Sequence, residues 1–325
     1  MSEPAVDRFA TRTWAWRDFD AATLAAAKRA QELTVSVVIP ARDEVATVGK
    51  VAGTFVDDLG GPDGLVDEVL VVDADSADGT ADAARAAGAR VVRQADVLPE
   101  AGTAAGKGEA LWKGLAATTG DLVCFVDADI VDVDPRFVVG LVGPLLTEPS
   151  VSYVKATYDR PLDLGGQLRA EGGGRVTELL ARPLLAAFWP ELAWLTQPLS
   201  GEYAGRRTLL ESLPFVRGYG VELGHLVDVL EAHGPDAIAQ VDLGRRVHVH
   251  QPLDALGRMA AEILHVAVER LERQGRLVLP NPLATALLQP TRDAAGTLHL
   301  THHEVTPSQR PPLRAWRGGS QEDRA

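Results

Sequence analysis

Two aspartates separated by one residue are the feature of the sequence that points most directly to chemistry. Asp127 and Asp129 follow the apolar run 122–126. Their spacing lets one carboxylate face a nucleoside while the other reaches a metal ion. A hard cation such as Mg²⁺ or Mn²⁺ prefers oxygen ligands and can be coordinated by a protein carboxylate and a diphosphate at the same time. Its charge offsets the negative charge that grows on the leaving group. An Asp-x-Asp pair is common by chance, so its position after a predicted strand carries the argument.

Acidic residues also follow two other predicted strands. Asp43 and Glu44 come after the first apolar run of the chain, and Asp73 and Asp75 come after the second. In an open parallel sheet, ligands bind beyond the carboxyl ends of the strands. We therefore expect these carboxylates to gather at one edge of the sheet, where they would hydrogen-bond to sugar or base groups and support a divalent cation.

Lys107 is the candidate cation for a phosphate group. It lies at the predicted start of a helix, where an anion is favoured, although a solvated lysine in a loop is the competing interpretation. The segment differs from the phosphate loop of nucleotide hydrolases, because only three residues separate Gly102 from Gly106 and Gly108 replaces the required Ser or Thr. The chain contains no G-x-G-x-x-G pattern, which disfavours a dinucleotide-binding dehydrogenase.

A second anion site is predicted where Gly173 and Gly174 precede Arg175, Val176 and Thr177. Backbone N–H groups, the helix dipole, a guanidinium and a hydroxyl together suit a phosphate or a carboxylate. A plain hinge loop is the alternative.

Two histidines, His248 and His250, alternate with other residues late in the chain. If this segment is a strand, both imidazoles lie on one face. One of them would complement the aspartate pair as a metal ligand, whereas a histidine with a purely structural role is the commoner case.

Predicted strands alternate with predicted helices through the first half of the chain. The strands cover 35–39, 69–72, 91–92 and 122–126, and the helices include 82–87 and 108–117. Strands that are apolar on both faces and alternate with helices indicate an α/β fold with a mostly parallel, Rossmann-like sheet. In the second half, Leu264, Val268 and Leu271 predict an amphipathic helix over 260–271.

Composition excludes several classes of function. The 325 residues carry a net charge of −13, which makes nucleic-acid binding improbable because that requires clustered Lys and Arg. The single cysteine, Cys124, allows no intrachain disulfide and lies in an apolar run. No leader peptide and no apolar run of about 18 residues is evident. We therefore expect a cytoplasmic protein without a membrane partner.

Several motifs, in one order along the chain, resemble those of the actinobacterial glucosyl-3-phosphoglycerate synthases and, more broadly, of retaining glycosyltransferases of the type A fold. The resemblance covers about residues 13–253. The motifs are Arg12-Thr13-Trp14, Ser36-Val37-Val38-Ile39-Pro40-Ala41, Gly106-Lys107-Gly108-Glu109-Ala110-Leu111-Trp112-Lys113, Phe125-Val126-Asp127-Ala128-Asp129, Gly173-Gly174-Arg175-Val176-Thr177-Glu178-Leu179, Tyr219-Gly220-Val221-Glu222 and Arg246-Val247-His248. So many motifs in one order argue against a chance match.

The resemblance implies transfer of glucose from UDP-glucose to the 2-hydroxyl of 3-phosphoglycerate with retention of the α configuration. It places Asp129 and His248 on Mg²⁺ or Mn²⁺, and it implies a homodimer. Glu222, Asp129 and Lys107 are the implied catalytic residues. The implied donor-binding residues are Pro40, Ala41, Asp43, Glu44, Ser76, Lys107, Asp127, Tyr219 and Glu222. The implied acceptor-binding residues are Gly174, Arg175, Val176, Thr177 and His250.

The sequence pattern and the resemblance together predict four parts of the chain. We expect an N-terminal arm over 1–32 and a nucleotide-sugar-binding α/β domain over 33–150. A helical acceptor-binding half with the metal-binding histidine follows over 151–280. The tail, 281–325, is expected to be dominated by loops and disordered at its end.

Two departures from the family pattern bear on substrate choice. His250 and Gln251 stand where the family has Asn and Arg. Because a neutral Gln lacks the fixed charge and the donor fork of Arg, we expect weaker binding of phosphoglycerate or a wider range of acids. The segment Arg42-Asp43-Glu44 replaces Leu-Asn-Glu, which is a mild change because Asp still accepts hydrogen bonds from uracil or ribose.

Three alternatives remain open at this point. One is mannosyl transfer, or transfer of another hexose, to the same or a similar phosphorylated acid. Another is an inverting transferase acting on a lipid or polysaccharide, which needs a general base beside the acceptor hydroxyl. The third is a catalytically silent sugar-nucleotide sensor, against which the intact Lys107, Asp127, Asp129 and His248 argue.

Overall fold

The computed structural model describes residues 3–159, 162–163, 168–169, 174–246, 253–293, 295–306 and 308–318. Several predicted site residues, among them His248 and His250, lie outside these ranges, as do Gly173 and Gln251. Within the described ranges, no helix has the combination of length and apolar composition that crossing a bilayer requires.

Regular structure begins near the N-terminus and continues to residue 318. The helices are α1 (Glu3–Thr11), α2 (Ala21–Ala30), α3 (Val48–Leu59), α4 (Thr80–Ala86), α5 (Lys107–Ala117), α6 (Arg136–Thr147), α7 (Arg182–Phe188), α8 (Arg207–Leu210), α9 (Val221–His233), α10 (Leu253–Arg273) and α11 (Leu313–Gly318). The strands are β1 (Thr13–Ala15), β2 (Val35–Ala41), β3 (Glu68–Asp73), β4 (Arg90–Arg93), β5 (Leu122–Phe125), β6 (Tyr153–Asp159), β7 (Leu162–Asp163), β8 (Leu168–Arg169), β9 (Tyr203–Arg206), β10 (Phe215–Val216), β11 (Ile238–Arg245), β12 (Ala286–Arg292), β13 (Leu298–Glu304) and β14 (Gln309–Arg310).

The central sheet has eight strands in the order β1-β11-β6-β9-β5-β2-β3-β4. All neighbours pair in parallel except β9, which is antiparallel to both β5 and β6. The predicted mostly parallel α/β fold of glycosyltransferase type A is thus confirmed. Strand β2 shows why the sequence folds this way, because its apolar side chains are buried on both faces of the sheet.

Two layers of helices cover the sheet. Val37 and Ile39 of β2 face a core that includes α3 and α6, whereas Val38 faces a second core that includes α5 and α9. The alternation of neighbouring side chains between the two faces follows from the pleat of the strand. This packing fixes the ends of β2, β3 and β5 relative to the start of α5, and so positions the site.

The sheet extends beyond the segment expected to contain it. The predicted α/β domain, 33–150, holds only β2 to β5, while β6, β9 and β11 come from the second half and β1 from the predicted arm. Because β9 inserts between β5 and β6, the two halves share one core, and residue 150 does not mark an edge of the sheet.

The tail contains more regular structure than predicted. β12 and β13 form an antiparallel hairpin, and β14 pairs with β10. The amphipathic helix predicted over 260–271 lies within α10, but its buried face is rotated. Leu264 is 41% exposed, whereas Ile263 and Val266 are buried, because α10 packs its Ile263 side against α9 and not the side that the apolar spacing suggested.

Candidate functional site

A cleft of about 770 Å³ opens at the carboxyl edge of the sheet. It brings together most of the predicted site residues that the structure describes. From the predicted donor site these are Pro40, Ala41, Glu44, Lys107, Asp127, Tyr219 and Glu222, from the predicted metal site Asp129, and from the predicted acceptor site Gly174, Arg175, Val176 and Thr177. We call Lys107, Asp127, Asp129 and Glu222 the charged wall, and residues 174–177 the glycine wall.

Lys107 is the centre of the charged wall. It is the first residue of α5, and its Nζ donates a hydrogen bond to Oδ1 of Asp127, directly beyond β5. The Oε1 atom of Glu222, in the first turn of α9, lies 3.8 Å from the same Nζ. Burial disfavours the ammonium charge, but the carboxylates of Asp127, Glu222 and Glu202 outweigh it and raise the pKa of Lys107. The lysine is therefore held as a cation.

Gly201 adjoins this ion pair. A Cβ atom at position 201 would overlap the Nζ of Lys107 and the carboxylate of Asp127. A larger residue there would therefore force the ends of these two side chains to shift. Sequence reasoning missed Gly201, because a single glycine in an irregular segment shows no periodicity.

Arg246 and Glu202 form a second layer that the sequence interpretation also missed. Arg246 directly follows β11, and its Nη2 donates to Oδ1 of Asp129 at 2.9 Å and lies 3.6 Å from Oδ2 of Asp127. Its Nη1 donates to the hydroxyl of Tyr158 at 2.8 Å, and that hydroxyl donates to Oε2 of Glu202 at 2.7 Å. The one available signal was the position of Arg246 in the motif that contains His248.

The two aspartates of the pair differ in electrostatic surroundings. Burial would raise the pKa of Asp127, but the charges of Lys107 and Arg246 outweigh it and hold that pKa well below its usual range. The pKa of Asp129 is raised by burial and by the charge of Asp127, with Arg246 only partly compensating. Asp127 is thus already matched by cations, whereas Asp129 retains a need for more positive charge.

Asp129 fits the role of a metal ligand. Its side chain is 53% exposed and lines the cleft, and a carboxylate oxygen is the donor that Mg²⁺ and Mn²⁺ prefer. The described residues include no cluster of three His, Cys, Asp or Glu side chains that would enclose a metal. His248, the predicted second ligand, lies outside the described part of the chain.

Asp43 and Ser76 hold two strand-end loops together. The backbone N–H of Asp43 donates to Oγ of Ser76 at 2.9 Å, and Oδ1 of Asp43 accepts from the backbone N–H of Ala77 at 3.1 Å. Neither residue is among those that line the cleft, so their predicted contact with the donor stays a prediction. Glu44 does line the cleft, and burial, together with the charge of Asp129, raises its pKa.

The glycine wall is a turn followed by a helical run. Gly174 has φ +73°, a conformation that favours glycine, and its carbonyl accepts from the backbone N–H of Glu178 at 3.0 Å. A π-helical segment, Thr177–Ala181, leads into α7. Arg175 lines the cleft at the start of this run, and its role in binding an anion stays a prediction.

Comparison with known proteins identifies the family. A family model described as "Glycosyl transferase family 2" matches residues 36–210. The glucosyl-3-phosphoglycerate synthase of Mycolicibacterium paratuberculosis is 47% identical over 97% of this chain and 94% of its own length. The crystal structure of mannosyl-3-phosphoglycerate synthase from Rubrobacter xylanophilus superposes with a TM-score of 0.87 at 40% identity, covering 95% of this chain and 98% of that one.

A further similar structure carries ligands. It is glucosyl-3-phosphoglycerate synthase from Mycobacterium tuberculosis in complex with Mn²⁺, UDP-glucose and phosphoglyceric acid, with a TM-score of 0.79 and 45% identity over 92% of this chain and 96% of that one. The family model covers more than half of the 325 residues, and the identities extend over nearly the whole chain. The chain therefore belongs to glycosyl transferase family 2, within the glucosyl-3-phosphoglycerate synthase family.

Proposed function

We propose that the protein transfers glucose from UDP-glucose to the 2-hydroxyl of 3-phosphoglycerate with retention of the α configuration. One observation carries the proposal: the charged wall and the glycine wall line the same cleft. A nucleotide-sugar diphosphate needs fixed positive charge, and a phosphorylated acid needs an anion site of its own. The cleft offers both, and relatives of the same family are named for this activity.

The charged wall would bind and polarise the donor. Lys107, kept cationic by Asp127 and Glu222, would neutralise charge on the diphosphate as the bond to the sugar breaks. Glu222, only 7% exposed, would accept hydrogen bonds from sugar hydroxyls, and Tyr219, 43% exposed at the rim, would pack beside the nucleotide. Asp127 would orient Lys107 and face the nucleoside.

A divalent metal completes the proposed donor site. Asp129 and His248 would hold Mg²⁺ or Mn²⁺. When bound, the metal supplies positive charge to the diphosphate leaving group. Arg246, which pairs with Asp129 at 2.9 Å, would keep this carboxylate oriented toward the cleft.

The glycine wall would capture the acceptor. Arg175 and Thr177 would bind its phosphate together with backbone N–H groups of the turn at Gly174. His250, outside the described residues, would border the same acceptor. With both substrates bound in one cleft, the acceptor hydroxyl would lie beside the sugar of the donor.

A donor-by-acceptor panel tests the proposal. UDP-glucose, GDP-glucose, UDP-mannose and GDP-mannose are each incubated with 3-phosphoglycerate, 2-phosphoglycerate and glycerate, and the products are analysed by mass. We expect UDP-glucose with 3-phosphoglycerate to give the highest kcat/KM. Absence of acceptor-dependent nucleotide release from every pair would instead support a sugar-nucleotide sensor.

Mannosyl transfer is the second candidate, because the chain superposes on a mannosyl-3-phosphoglycerate synthase with a TM-score of 0.87. The same panel separates the two. A kcat/KM for either mannose donor at least equal to that for UDP-glucose would assign the enzyme to mannosyl transfer or to dual specificity.

The assembly and the location of the protein stay predictions. We propose a homodimer, which sedimentation velocity at micromolar concentration would show as a species of about twice the 34.6 kDa chain mass. A cytoplasmic location is proposed on the basis of the substrates. Cell fractionation with a marker of the cytoplasm would check it.

A further inference from the structure

The C-terminal segment 308–318 packs against β10 and α5, the helix that begins at Lys107. β14 pairs with β10 in antiparallel register, with Arg310 opposite Phe215. The carbonyl of Ser308 accepts from the backbone N–H of Arg217 at 2.9 Å, which extends the ladder by one bond. β10 leads directly to Tyr219 and to the first turn of α9 that carries Glu222.

Arg310 makes the densest set of contacts in this segment. Its Nε and Nη2 donate to the two carboxylate oxygens of Glu109 at 2.6 and 2.7 Å. Its Nη1 donates to the carbonyl of Ala101 at 2.6 Å, and its Nη2 also approaches the carbonyl of Gly102 at 3.3 Å. Arg310 is 6% exposed and Glu109 is fully buried. A bidentate pair in such a place fixes both position and orientation.

Lys113 adds a second anchor to the same loop. It is fully buried, one turn after Glu109 on α5. Its Nζ donates to the carbonyl of Gly102 at 2.9 Å and lies 3.6 Å from Oε1 of Glu109. Arg310 and Lys113 thus converge on one carboxylate and on the carbonyls at the start of the loop 101–106.

That loop is part of the cleft. Residues 103–106 line it and end at Lys107, the cation of the charged wall. A Cβ atom at Gly106 or Gly108 would overlap the backbone of Arg217 or Val216, so the start of α5 packs directly on β10. The loop is consequently held between β10 on one side and Arg310 on the other.

We propose that Arg310 is a positioning residue for nucleotide binding, acting through the loop 101–106 and Lys107. This inference rests on the proposed function, because it assumes that the cleft binds a nucleoside diphosphate. Arg310 does not line the cleft, so its effect is indirect. It fixes the loop carbonyls and the first turn of α5, and thereby holds the ammonium of Lys107 where a diphosphate would meet it.

Arg207 provides a matched control at the opposite end of the same helix. It donates to the carbonyls of Leu115 and Gly120 at 3.0 and 2.6 Å and to Oγ1 of Thr118 at 3.0 Å. Like Arg310, it secures a terminus of α5 through several bonds to the backbone. Unlike Arg310, it secures the end remote from the cleft.

The experiment measures binding of UDP with Mn²⁺ by calorimetry for the parent, Arg310→Met, Arg310→Lys and Arg207→Met. All are measured at a temperature where circular dichroism shows them folded. We expect Arg310→Met to weaken UDP binding by about 10- to 100-fold, the usual range for residues that orient a binding group. Arg310→Lys should lose less, because it keeps one charged donor. Arg207→Met should bind as the parent does, even where it lowers the unfolding temperature equally.

Kinetics give a second, independent readout. Arg310→Met should raise the KM for UDP-glucose, while the KM for 3-phosphoglycerate stays within about twofold of the parent. UDP binding by Arg310→Met equal to that of the parent, or an equal loss in Arg207→Met, would overturn the inference. If Arg310→Met does not fold, the comparison of Arg310→Lys with Arg207→Met decides. A parent that binds no UDP would contradict the proposed function instead.

Discussion

The two walls of the cleft hold charge in different ways. On the charged wall, the partly buried Lys107 and Asp127 form an ion pair that Gly201 adjoins, and Arg246 in the layer behind it lies 3.6 Å from Asp127. The glycine wall is a turn at Gly174 and the start of a helical run, which is followed by an ion pair between the more exposed side chains of Glu178 and Arg182.

This difference predicts which substitutions should affect activity and stability together. Removing one member of a buried charged cluster leaves its partners unpaired, which costs stability as well as function. Removing Arg175, a partly buried residue at the start of the helical run, should change mainly the affinity for the acceptor. Removing the cation of the charged wall should therefore change activity and stability together, whereas removing Arg175 should change mainly acceptor binding.

Asp129→Ala should cause the largest loss of activity, without a matching loss of stability. Without its carboxylate the metal has no ligand on the charged wall, so kcat should fall on the order of 10³-fold. Because the side chain of Asp129 is 53% exposed and carries little packing, the unfolding temperature should change little. Steady-state kinetics with thermal denaturation checks both. The control is Asp134→Ala. In the parent, the carboxylate of Asp134 pairs with Arg136 at 2.9 Å, and neither residue lines the cleft. Undiminished activity of Asp129→Ala in excess EDTA would contradict the metal site.

Lys107→Met tests whether one residue of the charged wall supports both activity and stability. The substitution leaves Asp127 and Glu222 without their shared cation, so the free energy of unfolding should fall by about 3 kcal/mol. Loss of the charge that faces the diphosphate should lower kcat about 10²- to 10³-fold. Urea denaturation and initial rates measure the two effects. A variant as stable as the parent would show that the pair contributes no net stability.

Arg175→Ala tests the other wall. Loss of a charge-assisted guanidinium contact should raise the KM for 3-phosphoglycerate about 10- to 100-fold. The KM for UDP-glucose should stay near that of the parent, since the proposed contact of Arg175 is with the acceptor alone. An equal increase in KM for both substrates would indicate a structural role for Arg175, and the two walls would then not differ in this respect.

Gln251→Arg should produce a smaller gain. If this position faces the acceptor, restoring the guanidinium should lower the KM for 3-phosphoglycerate by up to about tenfold. His250→Asn in the same background restores the whole family pattern. Initial rates at varied acceptor concentration provide the measurement. No change in either variant would show that the segment does not recognise the charge of the acceptor.

Glu222→Gln and Glu178→Gln should have small effects of opposite sign on stability. Burial raises the pKa of Glu222, so the stability it contributes is present below its ordinary pKa and is lost as pH rises through the raised value. Gln mimics the protonated form, and Glu222→Gln should therefore unfold at a higher temperature than the parent at pH 7, with the gain shrinking toward pH 4. The hydrogen bond from Arg182 lowers the pKa of Glu178, so that carboxylate stabilises above its ordinary pKa.

Glu178→Gln should accordingly unfold at a slightly lower temperature than the parent at pH 7, and the difference should disappear as pH falls toward 4. Thermal denaturation of both variants across this range supplies the test. If both variants changed the unfolding temperature in the same direction, the predicted electrostatic difference between Glu222 and Glu178 would be wrong.

Sequence reasoning found the parts of the site that follow from strand ends. Asp127 and Asp129 were located because a buried parallel strand must end at the ligand-binding edge, and Lys107 because a helix start attracts anions. The alternation of strands and helices over the first half predicted the fold class for the same reason. Such local rules need no knowledge of distant contacts.

The missed residues depend on distant contacts. Glu202 adjoins β9, the antiparallel strand that inserts between β5 and β6, and no local pattern predicts such an insertion. Arg246 meets Asp129 across 117 positions, and Arg310 meets Glu109 across 201. Because an isolated arginine is normally solvated, its sequence context does not distinguish these buried roles.

The most direct test of the account is the product itself. UDP-glucose, 3-phosphoglycerate and Mg²⁺ are incubated with the enzyme, and the product is analysed by mass and by the proton NMR coupling of its anomeric hydrogen. The account predicts one glucosyl group per phosphoglycerate, an α linkage, and UDP released in equal amount only when the acceptor is present. UDP release that is independent of the acceptor, or a β-linked product, would contradict it.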